Sequence, residues 1–356
     1  MSISAVQFLI LGISAFAFTG MLTWPVRALA IRLGAMDVPN LARKAQAEPV
    51  PYLGGVAIAL GFSIVTLGAV FVGAENFASE DNNQLKDLAL TVLLPALALG
   101  AMGLFDDLRS LSPWPRLVTQ TVVGTVVAFV IVESGTIGTP FGGGDFGSWI
   151  NTAVTVFWIV GICNSINFFD NLDGAASGMV AIAAIGVFVI AFDRGQELVG
   201  ALSIVTAGAT LGFLLWNKSP AKIYMGDAGA LFLGIIISVA TIRLNPGITP
   251  TWQSLAIPVM LLAVPLLDTC VAVFSRLARG LSPLTGGKDH LSHRLVRAGL
   301  TRPMAAISLW SASGVCALFT LGVYFFADSL GSVLIALFAA GWITSLALFL
   351  RTQSHD

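Results

Sequence analysis

Asn164-Ser165-Ile166-Asn167-Phe168-Phe169-Asp170-Asn171-Leu172-Asp173-Gly174-Ala175-Ala176-Ser177-Gly178 follows directly on residues 152–163, an apolar run reading Thr-Ala-Val-Thr-Val-Phe-Trp-Ile-Val-Gly-Ile-Cys. Amides and carboxylates are thus delivered by a chain that is otherwise almost wholly apolar. Asn164, Asn167, Asp170 and Asp173 recur every three residues, which keeps side chains on neighbouring parts of one helical face near a helix end. Carboxylates brought that close repel each other unless a cation or a strong donor stands between them. The stretch predicts a metal or phosphate site at the edge of a membrane.

Composition points the same way. Of the 356 residues 56% are hydrophobic and 10% charged, where a soluble domain carries roughly a quarter charged residues. Apolar runs of about 20 residues, enough to cross a bilayer, fall near 5–31, 53–75, 87–105, 117–134, 149–166, 174–192, 198–216, 228–244, 254–276, 303–326 and 330–350. The expected architecture is an all-α polytopic bundle of about eleven transmembrane helices, one integral-membrane domain over 1–356. No internal repeat or low-complexity tract divides it, and the 37 glycines suit close helix packing in lipid. The first run is expected to be a retained span, since no Lys or Arg precedes it and it exceeds a signal's apolar core. Cys163, Cys270 and Cys316 lie in or at the ends of apolar runs, which argues against a disulfide or metal framework.

Eleven spans put the loops alternately on two sides. Fifteen of the 18 Lys and Arg collect on one side, and only Lys86, Arg194 and Arg243 lie on the other. That asymmetry makes the rich side cytoplasmic, with the amino terminus outside and the carboxyl terminus inside. The net charge of −1 gives no support for nucleic-acid binding.

The cytoplasmic loops also carry the chemistry. Arg43-Lys44 and Pro49-Val50-Pro51-Tyr52-Leu53-Gly54-Gly55 lead into the second run; the glycines read either as a turn entering a helix or as a close backbone approach to a ligand phosphate. Asp106-Asp107 ends the third run. Neighbouring side chains on a helix point different ways, so the pair reads either as a solvated helix cap or as one carboxylate for a metal and the other for a proton. In Lys222-Ile223-Tyr224-Met225-Gly226-Asp227-Ala228-Gly229, Asp227 reads as a helix cap or, with Lys222 near it, as a ligand for a magnesium diphosphate; Tyr224 suits stacking on a flat base. The longest of these loops, residues 276–302, holds Lys288, Asp289, His290, Ser292, His293 and Arg294, and so two of the three histidines. With no Cys nearby, zinc is a poor fit; a phosphate cradle using Lys288 and Arg294 fits better. The set is a parts inventory for magnesium-assisted phosphoryl transfer.

Asp106-Asp107, Asn167-x-x-Asp170-x-x-Asp173-Gly174, Met225-Gly226-Asp227-x-Gly229 and His290-Leu291-Ser292-His293-Arg294, in that order, resemble the polyprenyl-phosphate N-acetylhexosamine-1-phosphate transferases, glycosyltransferase family 4, over roughly residues 20–300. The resemblance implies that a polyprenyl phosphate attacks the β-phosphorus of a UDP-N-acetylhexosamine, giving polyprenyl-diphospho-sugar and UMP. It implies Mg²⁺, with Mn²⁺ as a substitute, in a plasma-membrane enzyme whose site faces the cytoplasm and which starts cell-envelope glycan synthesis; a homodimer is among the assemblies it implies. Asp227 matches the principal metal ligand, with Asp107 and Asp170 beside it. Asp106 matches the residue that deprotonates the lipid phosphate, and Asp107 assists. Asn164, Asn167, Asp170 and Asp173 match the nucleotide and metal region, Tyr224 the uracil-stacking aromatic, and His290 and His293 the diphosphate-side histidines. Arg116 stands where a lysine is common, at the lipid-phosphate contact. Ser292 replaces a histidine found in many members, and the triple-histidine run of the phospho-N-acetylmuramoyl-pentapeptide transferase is missing. The expected donor is therefore UDP-N-acetylglucosamine, the muramoyl-pentapeptide nucleotide being the alternative.

Two other readings are weaker. Asp170-x-x-Asp173-Gly174 also begins a CDP-alcohol phosphotransferase pattern, but Ala176-Ser177 follows where that pattern continues differently. A transporter would hold its carboxylates near the bilayer midplane, whereas these sit at span ends on one side.

Overall fold

The computed structural model describes residues 3–38, 48–76, 81–109, 111–133, 144–284 and 286–352; Arg43, Lys44 and His355 lie outside them. Helices α1 (Ala5–Arg32), α2 (Gly54–Asn76), α3 (Asp81–Arg109), α4 (Pro113–Glu133), α5 (Gly144–Phe169), α6 (Ala175–Asp193), α7 (Glu197–Asn217) and α8 (Gly226–Arg243) come first. They are followed by α9 (Thr251–Leu261), α10 (Ala263–Ala278), the short α11 (Leu291–Arg297), α12 (Arg302–Phe325), a π-helical turn (Ala327–Gly331) and α13 (Ser332–Arg351). Among the described residues nine helices are long and apolar enough to span a membrane, and α3 and the α9–α10 pair cover the two remaining apolar runs. In lipid the backbone has no water to bond, so helices are the form such runs must take.

The run near 254–276 is not one straight span. It breaks between α9 and α10 with a bend of 71°. Pro265 lies in the first turn of α10, where it cannot donate a backbone hydrogen bond and its ring crowds the carbonyl of Leu261.

Helix α8 is the axis of the bundle. Every residue from Ala228 to Thr241 is buried, against α3 and α5 chiefly and α2, α6 and α7 besides; a helix apolar all round belongs in such a position. By contrast α13 buries no residue and lies at the periphery. Helices α1 and α7 approach through small residues: a methyl on Gly208 or Gly212 would strike the α1 backbone at Gly12 or Phe16, the close packing that GxxxG spacing permits. A two-stranded antiparallel ribbon, β1 (Met36–Asp37) with β2 (Val50–Pro51), pairs Met36 with Pro51 and Asp37 with Val50. Tyr52 continues it by bridging to Tyr224, which pulls the chain entering α2 onto the loop before α8.

Candidate active site

The site is built around the first turn of α8. The turn has no side-chain cap of its own, and Asp107 of α3 supplies one: its Oδ1 accepts from Asp227 N at 2.9 Å and its Oδ2 from Ala228 N at 3.1 Å. Such an approach needs absent side chains. A Cβ on Gly103 would stand 2.5 Å from the Asp227 carbonyl carbon, and one on Gly55 the same distance from Gly229 Cα. Gly226 holds φ +71°, the left-handed region that glycine enters without penalty. Gly54 and Gly55 donate their amides to the carbonyls of Tyr224 and Met225. Of the two sequence readings, the helix-entry turn describes these glycines, and their amides are spent on protein rather than on a phosphate.

From that turn a chain of charges runs outward. Arg116 Nη1 donates to Asp227 Oδ2 at 2.8 Å and to Asp106 Oδ2 at 3.0 Å, so one nitrogen serves two carboxylates. Asp106 also accepts from Leu111 N at 2.7 Å, closing the turn from α3 to α4. Asn167 Nδ2 donates to Asp227 Oδ1 at 2.6 Å. Asp227 is thereby held at both oxygens.

Asp170 lies one residue beyond the end of α5, half-buried, and no described donor meets its carboxylate. Burial first, then the charges of Asp227, Asp107 and Asp173, push its pKa up to about 8. Asp173 accepts from Ala221 N at 3.1 Å, tying this turn to the loop before α8. Gly174, at φ +73°, completes the turn, and buried Asn217 fixes it by accepting from Gly174 N and Ser177 Oγ while donating to Ile223 O. Asn164 does not join this cluster by any described bond. One helical turn deeper, it donates to Gln120 Oε1 at 2.6 Å and to Val160 O at 2.8 Å, so the expected polar face splits where α5 ends.

The histidine loop packs beside this cluster. The His290 ring lies edge-on to Phe168 at 5.8 Å and to His293 at 6.2 Å, and Ser292 donates to Asn171 Oδ1, joining α11 to the Asp170 turn. His290 is buried between Asp268 and Arg276. His293 is half-buried with no described hydrogen-bond partner, and burial first, with the neighbouring positive groups opposed by Asp268, lowers its pKa to about 4.

One expectation needs correction. Arg294 is not a phosphate cradle: its guanidinium is buried and donates to Asp289 O, Ser275 Oγ and the carbonyls of Phe349 and Thr352, so it fastens α11 to α10 and to the end of α13. Lys222 is exposed, with its ammonium over the Trp216 ring at 5.7 Å. Asp107, read as a metal or proton group, accepts one backbone amide at each oxygen, as Asp227 accepts one side-chain donor at each of its own. Lys288 is exposed, and its carbonyl accepts from Arg297. Tyr224 is half-buried beside Tyr52, its phenol pushed above the ordinary range by burial and then by Asp173.

Sequence reading missed Asp268, Gln120, Asn171 and Asn217. Asp268 carried a signal, since a lone acid inside an apolar run is costly in a membrane and marks a paired or functional position.

An integral-membrane bundle that gathers carboxylates, an arginine and a histidine loop at one end is of the class that works on charged head groups at the bilayer edge. The sequence profile described as glycosyl transferase family 4 matches residues 89–245. The chain is 34% identical over 286 residues to a probable undecaprenyl-phosphate N-acetylglucosaminyl 1-phosphate transferase of Bacillus subtilis, covering 80% of this chain and 76% of that one. It is 29% identical to a decaprenyl-phosphate N-acetylglucosaminephosphotransferase of Mycobacterium tuberculosis, covering 97% and 90%. A phospho-N-acetylmuramoyl-pentapeptide-transferase of Streptococcus thermophilus matches at 35%, over 43% of this chain and 48% of its own. The chain belongs to glycosyl transferase family 4, a family of phosphosugar transferases.

Proposed function

We propose that the protein transfers N-acetylglucosamine-1-phosphate from UDP-N-acetylglucosamine to a polyprenyl phosphate in the plasma membrane, on its cytoplasmic face, as the opening step of a cell-envelope glycan. An oxygen of the lipid phosphate bonds to the β-phosphorus, the bond from that phosphorus to the bridging oxygen breaks, and UMP leaves. The observation that carries this reading is the cluster of Asp106, Asp107, Asp170, Asp173 and Asp227 at the end of an apolar bundle, with Arg116 between two of them.

The residues fit a magnesium ion. Among the described residues no three His, Cys, Asp or Glu side chains converge into a preformed metal cage, and magnesium asks for none, taking one or two carboxylates and completing its shell with water and phosphate oxygens. Asp170, raised by burial first and then by three neighbouring acids and met by no described donor, and Asp227 would hold it, with Asp107 behind them. Such an ion would supply charge neutralisation at the diphosphate.

The protein's own groups have distinct tasks. Asp106, at the membrane edge, takes the proton of the lipid phosphate. Arg116 holds that phosphate, Tyr224 stacks on the uracil, and Asn167 fixes the rotamer of Asp227. Among the described residues no Ser or Cys of the cluster is activated by a neighbouring base, which favours direct in-line displacement over a covalent intermediate.

Purified protein in detergent, given magnesium, radiolabelled polyprenyl phosphate and in turn UDP-N-acetylglucosamine, UDP-N-acetylgalactosamine and the muramoyl-pentapeptide nucleotide, tests the proposal. A labelled diphospho-lipid with UMP from the first donor is expected. Turnover of the muramoyl-pentapeptide nucleotide alone would replace the donor assignment, and no product from any donor would end the transferase reading.

A further inference from the structure

His290 and His293 stand three residues apart at the start of α11, yet their surroundings differ in kind. Asp268 of α10 is fully buried, one turn past the break at Pro265. Its Oδ2 lies 2.7 Å from His290 Nδ1, and its Oδ1 accepts from Leu291 N, the first residue of α11, at 2.6 Å. On the opposite edge of the ring, Arg276 Nη2 lies 3.2 Å from His290 Nε2. A guanidinium has only donors. Nε2 must therefore accept, which leaves the ring's single proton on Nδ1, aimed at Asp268. The tautomer is set from both sides.

Arg276 is itself pinned. Its Nε donates to Asp289 Oδ2 at 3.1 Å and its Nη1 to Pro283 O at 2.8 Å, while its guanidinium lies over the Phe168 ring at 5.6 Å. Asp268, Arg276, Asp289 and His290 are all buried, so an unmatched member would leave a buried charge or donor uncompensated. Both nitrogens of His290 are consumed inside this chain of bonds. His293, by contrast, is half-buried, its ring 6.2 Å from that of His290, with no described hydrogen-bond partner, and Ser292 beside it in sequence is bonded to Asn171 of the Asp170 turn.

We propose that Asp268 is a positioning residue for the transfer reaction: through His290 and Arg276 it sets the α11 loop so that His293, and not His290, meets the diphosphate of the nucleotide donor. The inference rests on the transferase reading above for its substrate, and on hydrogen-bond geometry alone for the His290 tautomer. Asp268→Asn leaves one acceptor for two donors: with its oxygen kept on Leu291 N, its amide nitrogen faces Nδ1 as a donor. The proton must then move to Nε2, where it opposes the Arg276 donor, and the loop loses its register. Asp268→Glu keeps the acceptor.

The protein has three histidines, so ¹⁵N-histidine labelling gives a spectrum simple enough to assign with His290→Gln and His293→Gln. Wild-type protein should show His290 as the Nδ1–H tautomer, and addition of UDP should shift the His293 ring nitrogens while leaving those of His290 in place. Asp268→Asn should convert His290 to Nε2–H and raise KM for the nucleotide donor roughly 10-fold, the scale of losing a carboxylate that orients a histidine, with kcat changed less; Asp268→Glu should recover most of that KM. A His290 signal that moves with UDP while His293 stays, or an unchanged His290 tautomer in a folded Asp268→Asn protein, overturns the proposal. Absence of turnover by wild-type protein that still shows the Nδ1–H tautomer would instead count against the transferase reading.

Discussion

Gly55→Ala isolates the claim that the start of α8 is held in place by backbone contact. The added methyl would stand 2.5 Å from Gly229 Cα and 2.7 Å from the Ala228 carbonyl carbon, and closer still to Gly229 N. Ordinary van der Waals contact begins at 3.4 Å, so α2 and α8 must part by at least about 0.9 Å to clear Gly229 Cα and further to clear Gly229 N, and the obstacle is backbone that cannot rotate away. Overpacking of this kind costs about 1–3 kcal/mol. The same shift carries Asp227 N and Ala228 N away from Asp107, now 2.9 and 3.1 Å distant, beyond hydrogen-bond range. Displacement of reacting groups by about 1 Å costs about 100-fold in rate. Gly68, on the same helix, has nothing within 4 Å of the point where a methyl would stand, and Gly68→Ala should be neutral or stabilising by about 0.5–1 kcal/mol through helix propensity. Thermal unfolding in detergent and UMP release measure both variants side by side. Gly55→Ala that melts with wild type and turns over within a few-fold of it would refute the reasoning.

Asp170 gives a pH dependence with a definite sign. In metal-free protein its folded pKa of about 8 exceeds the unfolded value of about 4, so between these limits the folded state binds a proton the unfolded state lacks, and stability falls as pH rises. Melting in chelator from pH 5 to 9 should show that decline, Asp170→Asn should reduce it while Asp107, which burial also raises to about 7, keeps part of it, and magnesium should release protons on binding at pH 7 when calorimetry is compared across buffers; a slope unchanged in Asp170→Asn would contradict the assignment. Arg116→Lys should retain most stability, because a single nitrogen serves Asp106 and Asp227 and an ammonium can do the same, whereas Arg116→Met should lose about 1.5–3 kcal/mol, the scale of a charged hydrogen bond; equal melting of the two would show the bridge is idle. Asp227→Asn should abolish turnover without unfolding the protein, as read by product formation beside a melting curve, and activity at ordinary magnesium would refute that role. Arg294→Ala should open residues 276–302 to limited proteolysis by freeing α11 from α13, and a wild-type cleavage pattern would rule the fastening out.

The spans were legible because hydropathy averages over 20 residues and the bilayer permits few alternatives. The break in the ninth was not, because proline does not by itself decide it: Pro25 and Pro95 sit inside α1 and α3, which continue through them, whereas Pro265 falls in the first turn of a new helix. Averaging that finds spans also hides Asp268, one acid among apolar neighbours. Arg294 was misread for a local reason. It follows His293 in sequence, but adjacent residues on a helix point about 100° apart, and α11 turns the arginine toward α10 and α13 while the histidine ring lies by that of His290.

Which charged groups act and which support depends on where their hydrogen-bonding capacity goes, and residue order cannot carry that. Asp107, Arg294 and His290 were grouped with the reacting residues because they stand in the same motifs, yet Asp107 is met by two backbone amides, Arg294 by backbone carbonyls and a serine, and His290 at both nitrogens. Asp170 and His293 stand in those motifs with no described partner, on two turns joined by the bond from Ser292 to Asn171. A bound metal or diphosphate would supply these two with a partner, next to the chain of Asp106, Arg116 and Asp227. It is at those groups together that substrate should be sought.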